Sequence, residues 1–148
     1  MSEHHIGRGI RSLNNAIRRE VDSSPVKRKI DDITGTNGWI IGYISRNSGR
    51  DIYQRDIEKE FGITRSTASK VLILMEKKGL VERVSVPHDA RLKKLVLTPK
   101  SLELAEMMRA DANQIEDRLI KGFTEEELNT FSSYILRMKE NMQKSETN

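Results

Sequence analysis

The chain has 148 residues, 36% of them hydrophobic and 32% charged, with a formal net charge of +4 and no cysteine. That length suits one domain with one modest core, or a small module with dimerising additions, and the missing cysteine excludes disulfides, thiolate metal sites and thiol redox sensing. No apolar run approaches the ~20 residues of a membrane span and no apolar signal core stands at the N-terminus, so the expectation is a soluble, cytoplasmic protein.

Ile6, Ile10, Leu13, Ile17 and Val21 recur at spacings of four, three, four and four, which is the period of an amphipathic helix. Asp22-Ser23-Ser24-Pro25 ends it, and a charged loop is expected through Asp32. Trp39-Ile40-Ile41 and Tyr43-Ile44 then read as a buried helix, weakened by Gly38 and Gly42 and closed by Asn47-Ser48-Gly49.

Ile57 and Phe61 share a face of the next helix, which Gly62 terminates. Thr64 is placed to N-cap another, its hydroxyl accepting a backbone N–H that has no helical partner. Ala68, Val71, Leu72 and Met75 follow the inward pattern of that helix. Its other face carries Arg65, Ser66, Ser69, Lys70, Ile73 and Lys77, and Gly79 closes it. Two short helices joined by a tight glycine-containing turn form a helix-turn-helix pattern. Short hydroxyls and bases at the start of the second helix suit insertion into a DNA major groove. An ordinary helical hairpin with a solvated face has the same pattern.

The next stretch separates these readings. "LVERVSV" and "KKLVLT" are strand-like runs around a polar tip, Pro87 to Arg91. A helix-turn-helix followed by a β-hairpin is a winged helix, with Arg91 placed on the wing. A guanidinium suits the negative potential of a narrow, A·T-rich minor groove. Asp89 is expected to pair with that guanidinium and order the tip, and Lys93 and Lys94 to meet phosphates.

Thr98 and Pro99 start the next helix, with Ala105, Met108, Ala112, Ile115 and Leu119 as its stripe and Gly122 as its break. Thr124 and Glu127 form a capping box for a last helix, striped by Leu128, Phe131, Ile135, Met138 and Met142. These stripes and the N-terminal one exceed the needs of one small core and point to a dimer interface of Ile6, Ile10, Leu13, Ile17, Leu128, Phe131, Ile135 and Met138. Charge divides accordingly. Residues 64–100 hold nine basic and three acidic side chains, and residues 101–148 hold six and ten, so one region suits a polyanion and the other does not.

The segment "YQRDIEKEFGITRSTASKVLILMEKKGLVERVSVPHDARLKKLVLTPKS" resembles the MarR family of bacterial transcription regulators. The carrying features are the Asp89-x-Arg91 wing, the Leu-Val-Leu-Thr strand end, and Glu-Lys-Lys-Gly-Leu-Val after the recognition helix. Ser101 departs from a frequent glycine, and the cysteine of the peroxide-sensing branch is missing.

The resemblance implies a mainly α fold with a small β-hairpin: a winged helix-turn-helix plus a helical dimerisation base made of the first, fifth and sixth predicted helices. It implies a homodimer on a double-stranded DNA operator, repressing nearby genes until a small aromatic or phenolic effector binds between base and DNA-binding lobe. The organisation expected is 1–33 as dimerisation helix and linker, 34–98 as the DNA-binding region, and 99–148 as further dimerisation helices. Thr64, Arg65, Ser66, Thr67, Ser69, Lys70, Arg91, Lys93 and Lys94 are the expected DNA contacts. Trp39, Tyr43, Met108, Arg11 and Asn15 are candidates for an effector site.

No enzyme, cofactor or metal is expected. His4, His5 and His88 have no ligand partner at helical spacing, and Gly35, Gly38 and Gly42 fit no nucleotide fingerprint. The rival is a winged helix used for protein contact without DNA. RNA stacking would need more exposed aromatics than Tyr53 and Phe61, and membrane insertion needs large aromatic residues that this helix lacks.

Overall fold

The computed structural model describes residues 5–143; His4 lies outside them. Seven helices and one hairpin follow in the order α1 (Ile6–Ser23), α2 (Pro25–Thr34), α3 (Gly38–Arg46), α4 (Gln54–Phe61), α5 (Arg65–Lys77), β1 (Val81–Val86), β2 (Asp89–Leu97), α6 (Pro99–Leu119) and α7 (Glu125–Gln143). The fold is mainly α with one antiparallel hairpin, a winged helix-turn-helix flanked by further helices. The chain divides into two compact units, Met1–Asn113 and Gln114–Asn148. No helix among the described residues is long and apolar enough to cross a membrane.

The charged stretch after Pro25 is a helix, not the expected loop. Pro25 stands at its first position, where a missing N–H loses no helical bond and the fixed φ favours the turn. Ser24 caps it, accepting from the Lys27 N–H at 3.4 Å, and Gly35 ends it with a left-handed φ of 60°. Ile30 and Thr34 of α2 are buried while Val26 and Ile33 pack against the core from its edge. Lys27 and Asp31, one turn apart, are paired on its surface. The Ser24 hydroxyl also donates to Asp111 on α6 at 2.7 Å.

The core of the first unit gathers Ile30 from α2, Ile40, Ile41 and Ile44 from α3, Ile57 from α4 and Leu72 and Met75 from α5. Leu80 just before the hairpin, Val81, Leu95 and Leu97 on it, and Leu104 and Ala105 from α6 cover it. The hairpin also gains a short third edge. Tyr53 bridges Lys94, and the Leu95 N–H donates to the Ile52 carbonyl at 2.7 Å. The wing is thereby stitched to the start of α4.

Ser101 does more than begin a helix. It is fully buried, its hydroxyl accepts from the Thr98 N–H at 2.9 Å, and the Ser101 N–H donates back to the Thr98 hydroxyl at 3.3 Å. This is a capping box closed by a serine, and a glycine has no hydroxyl to close it. The Thr98 hydroxyl in turn donates to the Gly79 carbonyl at 2.7 Å, so the end of α5 and the start of α6 share one polar node.

In the second unit Gly122 takes a φ of 88°. The Thr124 N–H then donates to the Glu127 carboxylate at 2.8 Å, and the Glu127 N–H to the Thr124 hydroxyl at 3.2 Å. Neither α7 nor α1 has a buried residue. On α1, Ile6, Ile10 and Leu13 are exposed and Ile17 is half-buried; on α7, Phe131 and Met138 are exposed and Leu128 and Ile135 half-buried.

Candidate nucleic-acid interface

The helix-turn-helix is built by α4, a turn at Gly62, and α5. Asp56 starts α4 by accepting from the Tyr53 N–H at 2.8 Å. Gly62, with φ 60°, ends it in a left-handed cap, a conformation that costs glycine little. Thr64 then caps α5: its hydroxyl accepts from the Thr67 N–H at 3.1 Å and donates to the Thr67 hydroxyl at 3.0 Å. The Gln54 amide donates to the Arg65 carbonyl at 3.3 Å, which ties α4 to the first residue of α5.

Burial of Ala68, Leu72 and Met75 fixes how α5 is rotated. Arg65, Ser66, Thr67 and Lys70 are consequently exposed together with Thr64, while Ser69 is half-buried. Thr67 has a second task as partner of the cap. Arg83 on β1 faces Glu76 on α5, with Nε 3.3 Å from the carboxylate. Nothing short-range in the sequence marks that link between recognition helix and wing.

The wing differs from its expected form. Only Pro87 and His88 lie between the strands, so Asp89 to Arg91 belong to β2 rather than to a five-residue tip. Ser85 opposes Lys93 but Val86 opposes Asp89, which leaves Ala90, Arg91 and Leu92 unopposed in a bulge. Bulges bend a strand and re-aim its side chains, and Arg91 is exposed on this one. Asp89 does meet Arg91, but at the backbone: its carboxylate accepts from the Arg91 N–H at 2.9 Å, and among the described residues no ion pair joins it to the guanidinium. An acid accepting from the amide two residues on is an Asx turn.

Lys93 donates to the Ser85 hydroxyl across the hairpin at 2.7 Å. Lys94, expected beside it as a phosphate contact, points elsewhere. Successive strand residues face opposite sides, and its ammonium stands 3.4 Å from Asp51. That pairing spans 43 residues of sequence and has no local signature.

The effector candidates fall into two groups. Trp39 and Tyr43 both meet Phe61, with ring centroids at 4.3 and 5.6 Å in edge contacts. Tyr43 is a buried core residue whose hydroxyl accepts from Arg50 at 3.0 Å. Trp39 and Met108 are half-buried against the same core. Arg11 and Asn15 are exposed on α1. Among the described residues no group of three His, Asp or Glu side chains is arranged to hold a metal ion.

A family model described as MarR family matches residues 31–92, from α2 into the wing. The crystal structure of the transcription regulator MarR from Oenococcus oeni PSU-1 is 33% identical over 91% of this chain and 98% of its own, with a TM-score of 0.62. A Staphylococcus aureus MepR–DNA complex is 25% identical over 89% of this chain and 96% of that one, with a TM-score of 0.60. An uncharacterised HTH-type transcriptional regulator of Bacillus subtilis strain 168, YybA, is 26% identical over 86% of this chain and 85% of its own length.

Proposed function

The chain belongs to the MarR family of transcription regulators, and from that premise we propose that it binds a specific double-stranded DNA operator as a homodimer and represses transcription until a small aromatic or phenolic effector binds. The observation that carries the DNA reading is the exposed N-terminal half of α5, where Arg65, Ser66 and Lys70 stand clear of the core. Beside it the bulged wing leaves Arg91 and Lys93 exposed. Side chains of this kind reach base edges and phosphates from a major-groove helix, and a wing arginine reaches the adjoining minor groove. The S. aureus relative solved with DNA supports the same reading.

The homodimer reading draws on the uncovered apolar stripes of α1 and α7, with residues 1–33 and 99–148 as the base. The effector site is proposed at Trp39 and Met108, half-buried where the aromatic cluster of α3 and α4 meets α6, with Arg11 and Asn15 as anion-orienting groups and Tyr43 shaping the floor.

Selection from a randomised duplex library, followed by titration of the enriched duplex, tests the DNA reading. One sequence should be enriched, and its affinity should fall by roughly 10³-fold or more between 50 and 200 mM salt if about six phosphates are contacted. Arg65→Ala should weaken binding to that duplex by about 1–3 kcal/mol. No enrichment, with a salt-insensitive protein partner instead, would establish the winged helix as a protein-contact module. Full affinity in alanine variants of Arg65, Ser66, Thr67, Ser69 and Lys70 alike would remove α5 from the interface.

A further inference from the structure

Because α5 turns Ala68, Leu72 and Met75 into the core, its outward side is defined by Ser66, Lys70 and Lys77. At about 100° per residue, Ile73 falls on that side, within about 20° of Ser66 and between the two lysines along the axis, and it is 46% exposed. Leu74 is also exposed about 100° further round, beside Thr67, whereas Ile73 continues the stripe of Ser66 seven residues back. Single exposed apolar residues are ordinary on a protein surface. This one stands on the face built of hydroxyls and cations. A β-branched side chain there does nothing for the helix, because lysine, glutamine or alanine would each favour it more. Ile73 is eight residues beyond Arg65, about 12 Å along the helix axis.

A major groove offers one apolar group on its base edges, the C5-methyl of thymine. We infer that Ile73 contacts a thymine C5-methyl and so selects a T·A pair within the operator. Lys70 and Lys77 supply attraction on the same side and Ser66 hydrogen bonding, and Ile73 supplies discrimination that a lysine cannot, since an ammonium gains nothing from a methyl. The inference rests on the DNA-binding reading above and deepens it by naming a base.

The test replaces each thymine of the enriched duplex in turn with deoxyuridine, which keeps base pairing and removes only the methyl. At one thymine of each half-site, wild-type protein should lose about fourfold in affinity, the value of one buried methyl group. Ile73→Ala should show no loss at that position while keeping whatever losses occur elsewhere, and Ile73→Val, which retains a branched pair of methyls, should keep the preference. Ile73 is exposed, so both variants should melt at the wild-type temperature. An identical deoxyuridine profile for wild type and Ile73→Ala overturns the inference and leaves DNA binding intact. Failure to enrich any duplex overturns the DNA reading and this inference together.

Discussion

Gly38 opens α3 at a place where α2 comes very near. A Cβ added there would stand 2.7 Å from Ile30 Cγ2, and Ile30 is only 3% exposed, so its methyl has nowhere to move. Two effects oppose each other in Gly38→Ala. Helix propensity favours alanine by roughly 0.5–1 kcal/mol. Overpacking a filled core costs about 1–3 kcal/mol, so the net should be destabilising by about 1 kcal/mol in urea unfolding. Ile30→Leu removes the β-branch methyl. In that background Gly38→Ala should cost less than in wild type, a coupling expected only for side chains in contact. Equal losses in both backgrounds would mean that the glycine has another purpose. The glycine that weakens α3 as a sequence pattern is thus the residue that lets it pack.

Among the elements, the wing depends most on one local bond. Asp89 holds the bulge by accepting from the Arg91 N–H, and asparagine retains an acceptor oxygen in the same place. Asp89→Asn should therefore preserve the turn and bind DNA as well as wild type or better, since a negative charge has been removed. Asp89→Ala should weaken binding severalfold, and Arg91→Ala should add less on that background than alone. Lys94→Ala should matter less than Arg91→Ala, because Lys94 is engaged by Asp51 at the foot of the hairpin. Titrating these variants on the enriched duplex decides the matter; a loss for Asp89→Asn equal to that for Asp89→Ala would show that the carboxylate's charge, not its acceptor, is what the wing needs. The same elements show what a sequence makes legible. The Thr64 cap, the Thr124–Glu127 box and the inward stripe of α5 were readable because their partners lie within one or two turns. Helix α2 was not, because Pro25 signals a helix end and a helix start equally. The Lys94–Asp51 and Arg83–Glu76 pairs were not, because only the closed fold brings them together.

At the scale of the whole molecule, the apolar faces of α1 and α7 demand an explanation. Phe131, Met138 and Met142 are 54%, 38% and 74% exposed in the single chain, on a helix that buries none of its residues. Such a stripe left wet is unusual for a monomer, and in a twofold dimer the same patch on each copy is covered. The two alternatives predict very different costs for Met138→Glu. On a monomer surface the change falls within about ±0.5 kcal/mol; in a buried interface it leaves a charge without water or partner and costs several times more. Wild type should therefore sediment as a dimer at micromolar concentration and melt at a temperature that rises with concentration. Met138→Glu, and Ile135→Glu beside it, should melt lower, lose the concentration dependence and sediment as monomers. DNA binding should follow: a twofold protein matches a pseudo-palindromic operator with its half-sites set by the spacing of the two recognition helices. The monomeric variants should then bind a half-site and the full duplex with nearly equal, weak affinity, while wild type prefers the full duplex strongly. A wild-type chain that sediments as a monomer with a concentration-independent melting temperature would remove the dimer, and with it the reason for a palindromic site.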